Sequence, residues 1–299
     1  MRILLTGGTG YIGSAVLDEL VGAGHEVVAV VRSERAARAV EARGATAAIG
    51  EATDAAWLEP LLADVDGAVH TAAPAADAAA FDAAIANAVV EVFGGTARRY
   101  VHTGGIWAYG AGEALDDDGR PDAPELVAWR LPIEERLLES SVSATIIAPG
   151  VVYGDDRGLV QLVTEAPRDA DDRILLIGDG EQHWTWVHVG DLARLYRRAL
   201  EHEHALGRVI GSDGSPTTVR AVAEAVVAAG GASGVVAEGA DASRARLGAE
   251  FADALLLDQR ASGAKARSLG WVPEHEDVLA ELAGRSRRSA RAAREDSAA

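Results

Sequence analysis

The sequence predicts a doubly wound α/β fold, a parallel sheet with helices on both faces, carrying a smaller C-terminal lobe. Three observations predict it. Short runs that are apolar on both faces alternate with helical patterns through the first half of the chain, as strands buried from both sides require. A glycine-rich turn, Thr6-Gly7-Gly8-Thr9-Gly10-Tyr11-Ile12-Gly13, sits between the first such run and the first helical pattern. The length of 299 residues, with 48% hydrophobic and 25% charged residues, suits one large domain or a main domain with a lobe.

The elements follow in order. Residues 2–6 form a short apolar strand and 11–23 a helix; 26–31 form a second strand, followed by an Ala/Arg/Glu helix to about Arg43. Runs at 45–49, 67–71, 99–103 and 144–148 continue the series, and right-handed crossovers then wind the sheet doubly. Residues 1–150 are therefore expected to form the main core. Beyond 150 the pattern turns irregular, with an acidic stretch at 169–172, a short apolar strand at 174–177, and helices near 191–201 and 218–229. Residues 151–283 read as an interleaved substrate lobe with returns to the sheet. Residues 284–299 are Arg, Ser, Ala and acidic residues without an apolar face, and read as a disordered tail.

Composition removes several function classes. A net charge of −18 argues against nucleic acid or an anionic membrane as partner, since both need a basic face. The absence of cysteine excludes disulfides, thiolate metal sites and cysteine nucleophiles. No run approaches the roughly 18 apolar residues of a membrane span, and the N-terminus enters a strand at once without a secretory pattern. A cytoplasmic location is the expectation. No His, Asp or Glu cluster has metal-ligand spacing, His202 and His204 reading as solvated at a helix end, so no metal is expected. No serine occupies a GxSxG elbow, which leaves an esterase unsupported.

The strand, glycine turn and helix in that order make a dinucleotide site credible. Glycines let the backbone approach a pyrophosphate, and the first helical turn offers unpaired N–H groups at a positive dipole end. Thr6, Gly7, Gly10, Tyr11, Ile12 and Gly13 are the expected contacts. The second strand ends in Arg32 rather than an acidic residue, and with Arg35 this favours a 2′-phosphate, hence NADP(H) over NAD(H). A solvated surface arginine is the alternative. Glu51 and Asp54 follow the third strand, near the expected adenine; either is equally a helix cap.

Several segments in order resemble the extended and atypical short-chain dehydrogenase/reductase family, which includes nucleotide-sugar epimerases and dehydratases. The match spans roughly residues 1–275. The glycine turn is similar to the family's TGxxGxxG, and His70-Thr71-Ala72-Ala73-Pro74 to its fourth-strand turn. Tyr100 to Gly110 resembles the fifth-strand segment, Pro149-Gly150-Val151-Val152-Tyr153-Gly154 the PGxVYG segment, and Trp186 to Ala193 the VHVxDLA element. The resemblance implies that Ala72, Ala73 and Pro149 border the cofactor.

The catalytic pieces depart from the family pattern. Its serine is replaced by Gly105, behind Thr103 and Gly104. The only lysine is Lys265, and none of the five tyrosines has a lysine four residues later. In a helix expected over 126–139, the resemblance puts Leu126 at the tyrosine position and Arg130 at the lysine position, with Glu134 in the family's glutamate spacing. A second register would use Trp129 and Ile133. Arg130 can keep the positive charge and the ribose contact but cannot shuttle protons, because its pKa is too high. The plainer alternative is an exposed i,i+4 pair with Glu134.

A proton donor must then come from elsewhere. Tyr153 and Thr103 are the candidates for contacting a reacting oxygen, with His102, Trp107 and Tyr109 in the neighbouring segment. His102 alternates to the face opposite Thr103 and reads as packed, and Tyr109 as core. His183, Trp184, Trp186 and His188 suggest either a substrate wall or a strand packed into the small core. With Arg32 favouring NADP(H), the leading expectation is an NADP(H)-dependent oxidoreductase of the atypical short-chain class acting on a small carbonyl, imine or activated alkene. A non-catalytic cofactor-binding sensor is the alternative, and a nucleotide-sugar epimerase or dehydratase a third. The expected partner is a small-molecule substrate, with a homodimer expected by fold analogy.

Overall fold

Seven parallel strands form the central sheet of the computed structural model, which describes residues 1–74, 76–275 and 277–283. The tail expected at 284–299 lies outside the described residues. The first five strands are β1 (Arg2–Thr6), β2 (Glu26–Val31), β3 (Thr46–Ile49), β4 (Gly67–His70) and β5 (Arg99–Thr103). Strands Ser143–Pro149 and Gly207–Gly211 complete the sheet on the β5 side. From that edge the order is Gly207–Gly211, Ser143–Pro149, β5, β4, β1, β2, β3. Chain order therefore reverses between β1 and β4, and a crevice opens there beyond the carboxyl ends of the strands.

Helices cover both faces. On one, α1 (Tyr11–Gly22) buries Val16, Leu17 and Leu20 at helical spacing against the helix Val189–Glu201. Each such side chain contributes about 1.5–3 kcal/mol of burial. The opposite face is covered by α3 (Ala55–Ala63), α4 (Ala78–Phe93) and the helix Arg130–Glu139; α2 (Glu34–Glu41) packs beside β2 and β3. Capping follows the sequence: the Ser33 hydroxyl accepts from the Ala36 N–H, and Asp54 caps α3 by accepting from Ala56. Asp54 is thus a cap.

A third apolar cluster builds the smaller lobe around Trp184 and Trp186, 2% and 0% exposed. Their indoles donate to the Leu255 and Thr217 carbonyls. The two tryptophans are therefore lobe core and not a substrate wall. The strand expected at 174–177 forms as Arg173–Leu175 beside Gly234–Val236.

One expected helix is broken. Residues 126–139 divide into Glu125–Ala128 and Arg130–Glu139 at Trp129. Pro132 has no N–H to donate to the Ala128 carbonyl, so the helix restarts there. The restart aims Arg130 back toward the end of β5, where its Nη1 donates to the Thr103 carbonyl at 3.3 Å.

Candidate functional site

The glycine turn lies at the switch point. Gly7 has φ +80°, and a Cβ there would sit 2.6 Å from the Ala72 nitrogen just beyond β4. At Gly13 a Cβ would lie 2.0 Å from the Gly7 carbonyl oxygen. The Gly10 N–H donates to the Gly7 carbonyl at 2.8 Å, closing the turn. Gly10 is the N-cap of α1, and no side chain caps that terminus. Glycine at 7 and 13 thus keeps a backbone cradle clear where helical N–H groups accumulate, which fits a pyrophosphate. Arg32, just after β2, and Glu51, after β3, are both exposed and follow the carboxyl ends of two adjacent parallel strands. Glu51 accepts from the Thr53 hydroxyl at 3.2 Å.

Beside the cradle lies a cavity of about 590 Å³. It brings together Tyr11, Ile12, Ala73, Thr103, Arg130 and Pro149 from the expected site, with Thr71, Gly104 to Trp107, Gly150 to Val152 and Arg157 to Leu159 around them. Gly105 stands where the family has serine, and nothing lies within 4 Å of a Cβ built there. A serine would fit; space is not what excludes it.

Beneath this cavity a buried polar chain links three elements. Asp82, on α4, is 1% exposed. Its Oδ1 accepts from His70 Nε2 at 3.1 Å, and its Oδ2 from Arg130 Nη1 at 3.2 Å. The Thr6 hydroxyl lies 2.7 Å from His70 Nδ1, and with Nε2 donating to Asp82 the hydroxyl donates to Nδ1. The guanidinium also stacks on Trp129, 4.4 Å from the ring centroid. His102 packs on His70, 5.2 Å between ring centroids, and burial foremost, then His70 and Arg130, holds it well below the usual imidazole range. The Asp82 carboxylate therefore faces the Arg130 guanidinium directly, with His102 kept from adding a second positive charge.

Arg130 is not the partner of Glu134. That glutamate is 2% exposed and pairs with Arg208 across 3.2 Å, burial pushing its carboxyl upward. Sequence reading missed Asp82, and a signal existed. Asp82, Ile85, Ala86, Val89 and Phe93 follow helical spacing along the buried side of α4, so an acid stands in an apolar stripe. A buried carboxylate demands a cation or several donors.

Thr103 reaches the cavity wall, but its hydroxyl is engaged, donating to the His70 carbonyl at 2.6 Å with the Tyr196 hydroxyl 2.7 Å away. It braces the end of β5. Tyr153 lies elsewhere. The main strand ends at Pro149, and Val151–Gly154 joins a small sheet in which Val151 and Tyr153 face the lobe core and Val152 the opposite side, as strand alternation requires. The Tyr153 hydroxyl, 1% exposed as a residue, donates to Asp213 at 3.3 Å, and burial pushes its pKa far up. A phenol so placed cannot reach a reacting oxygen in the cavity, so the expectation for Tyr153 is corrected. Tyr109 is also buried.

Asp213 has its own consequence. It is 5% exposed, and burial raises its carboxyl to about 6 against bonds from the Ser215 N–H and Tyr153. A folded pKa raised above the unfolded value near 3.8 means the folded state keeps a proton that the unfolded state has lost. Stability therefore falls as pH rises from about 4 to about 6, by on the order of 1–3 kcal/mol, and stays lowered above that. Asp213→Asn is expected to raise Tm at pH 7.5 and leave it unchanged at pH 4, checked by thermal melts at both. Equal shifts at the two pH values would refute it.

Among the described residues His188, Asp191 and His275 are the one set of such side chains close enough to share an ion. The two rings stack face to face, 3.6 Å between centroids. Asp191 accepts the Glu274 and His275 backbone N–H groups at 3.0 and 2.9 Å and also pairs with Arg194. Its carboxylate is filled by donors, and it straps the segment beyond Trp271 to the helix Val189–Glu201.

Comparison with known proteins adds the following. A family model described as NAD(P)H-binding matches residues 7–174. An uncharacterized protein of Schizosaccharomyces pombe is 29% identical over 303 residues, covering 95% of this chain and 98% of its own length. A 2-alkyl-3-oxoalkanoate reductase of Stenotrophomonas maltophilia is 25% identical, covering 78% and 76%. The crystal structure of human epimerase family protein SDR39U1 with NADPH superposes with a TM-score of 0.74 at 21% identity, covering 94% and 98%. The resemblance drawn from the motifs, and the doubly wound fold, are borne out. No helix among the described residues is long and apolar enough to cross a membrane.

Proposed function

The chain belongs to the NAD(P)H-binding family, and from that premise we propose that it is an NADP(H)-dependent oxidoreductase of the atypical short-chain class. Its substrate is a small organic carbonyl, imine or activated alkene. One observation carries the reading: the cavity beside the glycine cradle holds a guanidinium anchored from below by a buried carboxylate, with no tyrosine–lysine pair. The cofactor, when bound, supplies or takes the hydride.

Gly7, Gly10, Tyr11, Ile12 and Gly13 hold the pyrophosphate, Arg32 the 2′-phosphate, Glu51 the adenosine end, and Ala72, Ala73 and Pro149 border the nicotinamide; Thr6, expected among the contacts, is buried with its hydroxyl on His70 and supports the turn from below. Arg130 donates to the substrate oxygen as negative charge builds there. A single preorganised donor of this kind is worth about 10²–10³-fold in rate. Being always protonated, Arg130 stabilises charge without giving up a proton. In the reducing direction hydride goes to carbon and the proton on oxygen comes from water. Thr103 braces the cavity wall through Tyr196 and the His70 carbonyl.

Titration of NADPH against NADH by cofactor fluorescence tests the cofactor choice. NADPH is expected to bind about tenfold tighter or more, and Arg32→Ala to remove the difference. Equal affinities in the wild type would overturn the assignment. A panel of carbonyls, imines and enones, followed by NADPH oxidation, tests the chemistry. Tight NADPH binding with no oxidation anywhere in the panel would favour a cofactor-binding sensor, a reading that the engaged Thr103 hydroxyl and the missing phenol also support.

A further inference from the structure

We propose that the substrate of this cavity carries a carboxylate on an apolar or aromatic body, and that Arg157 binds that carboxylate at the cavity mouth. The inference rests on the oxidoreductase reading for its setting, but its evidence is separate. Ile12, Ile106, Trp107, Val152 and Leu159 make the walls predominantly apolar. Among the described residues the charged side chains on the lining are Arg130 and Arg157, and no acidic one contributes to it. That is an unusual local balance in a chain of net charge −18.

The two cations differ in their partners. Arg130 is compensated by Asp82. No carboxylate of a described residue lies within ion-pairing distance of Arg157, and none of its N–H groups is bonded to one; its guanidinium lies 4.9 Å from the Tyr11 ring centroid. Stacking on an aromatic face leaves the N–H edge of a guanidinium available, and that edge matches a carboxylate bidentately.

Local geometry holds Arg157 there. Asp155 and Asp156 are both left-handed, with φ 52° and 57°. They turn strand Val151–Gly154 back onto Arg157–Gly158, pairing Gly154 with Arg157. The Tyr11 hydroxyl donates to the Gly154 carbonyl at 2.8 Å. A Cβ at Gly158 would lie 2.2 Å from the Val152 carbonyl oxygen and 3.1 Å from the Tyr11 ring. The hairpin is thus fastened to the first turn of α1, and Arg157, itself exposed, lies over the Tyr11 ring at the cavity mouth.

The competing source of negative charge is the cofactor's own pyrophosphate, because Tyr11 opens the helix that faces it. Matched acid and ester probes separate the two. Binding of 4-formylbenzoate and of its methyl ester to the NADP⁺-saturated protein is measured by calorimetry, for the wild type, Arg157→Ala and Arg157→Lys. NADPH affinity is measured in parallel. The acid is expected to bind about tenfold tighter or more than the ester. Arg157→Ala should abolish that preference with NADPH affinity unchanged, and Arg157→Lys should restore part of it. Equal binding of acid and ester to the wild type would overturn the proposal. So would an Arg157→Ala variant that weakens NADPH while keeping the acid preference, since Arg157 would then serve the cofactor. An acid preference lost in Arg157→Ala without any NADPH oxidation would sustain this proposal and sink only the oxidoreductase reading.

Discussion

Asp82→Ala is expected to lower the unfolding free energy by about 3–5 kcal/mol, the usual cost of removing one partner from a buried charge pair. The carboxylate is 1% exposed and serves two donors, so the change strips His70 of its acceptor and leaves Arg130 uncompensated. For a chain of this size the Tm should fall by on the order of 10 °C. Function should fall with it. Without Asp82 the guanidinium has only the Thr103 carbonyl and the Trp129 ring to orient it, so NADPH turnover should approach that of Arg130→Ala, about 10²–10³-fold down.

The pair gives a sharper measurement than either variant. Asp82→Ala and Arg130→Ala should be strongly non-additive in both stability and turnover, because each removes the same bond. Asp82→Asn keeps the shape and tests charge alone; it should fold better than Asp82→Ala and still lose turnover. Additive losses in the double variant would show that the two residues act independently and would refute the arrangement.

Gly13→Ala carries the second large effect. Its methyl group would lie 2.0 Å from the Gly7 carbonyl oxygen and 2.5 Å from the Thr71 hydroxyl. The first of these is backbone in the turn that closes the cradle, so no rotamer change relieves the clash. Overpacking of this kind costs about 1–3 kcal/mol, and displacement of the Gly7 turn should weaken NADPH about 100-fold or more. Gly22→Ala is the control on the same helix, with nothing within 4 Å of the new methyl group; it should leave melting and NADPH binding unimpaired. A Gly13→Ala protein that binds NADPH as the wild type does would remove the cradle from the cofactor site.

Much of this was legible in the sequence. Alternating apolar runs and helical patterns define the parallel sheet, because a strand buried on both faces cannot show the in–out alternation of a half-exposed one. The glycine turn after the first strand marks the crevice, since Gly7 and Gly13 occupy positions where any Cβ collides with backbone. The count of a single lysine excludes the tyrosine–lysine dyad in any register.

Other features depended on which side chains the fold brings together. Arg130 and Glu134 sit at ion-pair spacing on one helix, yet Asp82 from α4 takes the arginine and Arg208 from the edge strand takes the glutamate. Both acids are buried, and a buried charge binds the nearest desolvated partner whatever its distance along the chain. Tyr153 follows the carboxyl end of a sheet strand in sequence, where a crevice-facing side chain is expected, but strand alternation beyond Pro149 turns it into the lobe core. Arg157 gave no signal of its own; only the Asp155–Asp156 turn and the Tyr11 hydroxyl bring it over the cavity. By itself the sequence determined the sheet, the glycine cradle and the missing dyad, because those follow from local periodicity, steric limits and counting. The tertiary structure alone decided that Asp82 holds Arg130 and that Arg157 joins it on the cavity lining, because electrostatic partnership is set by proximity in space.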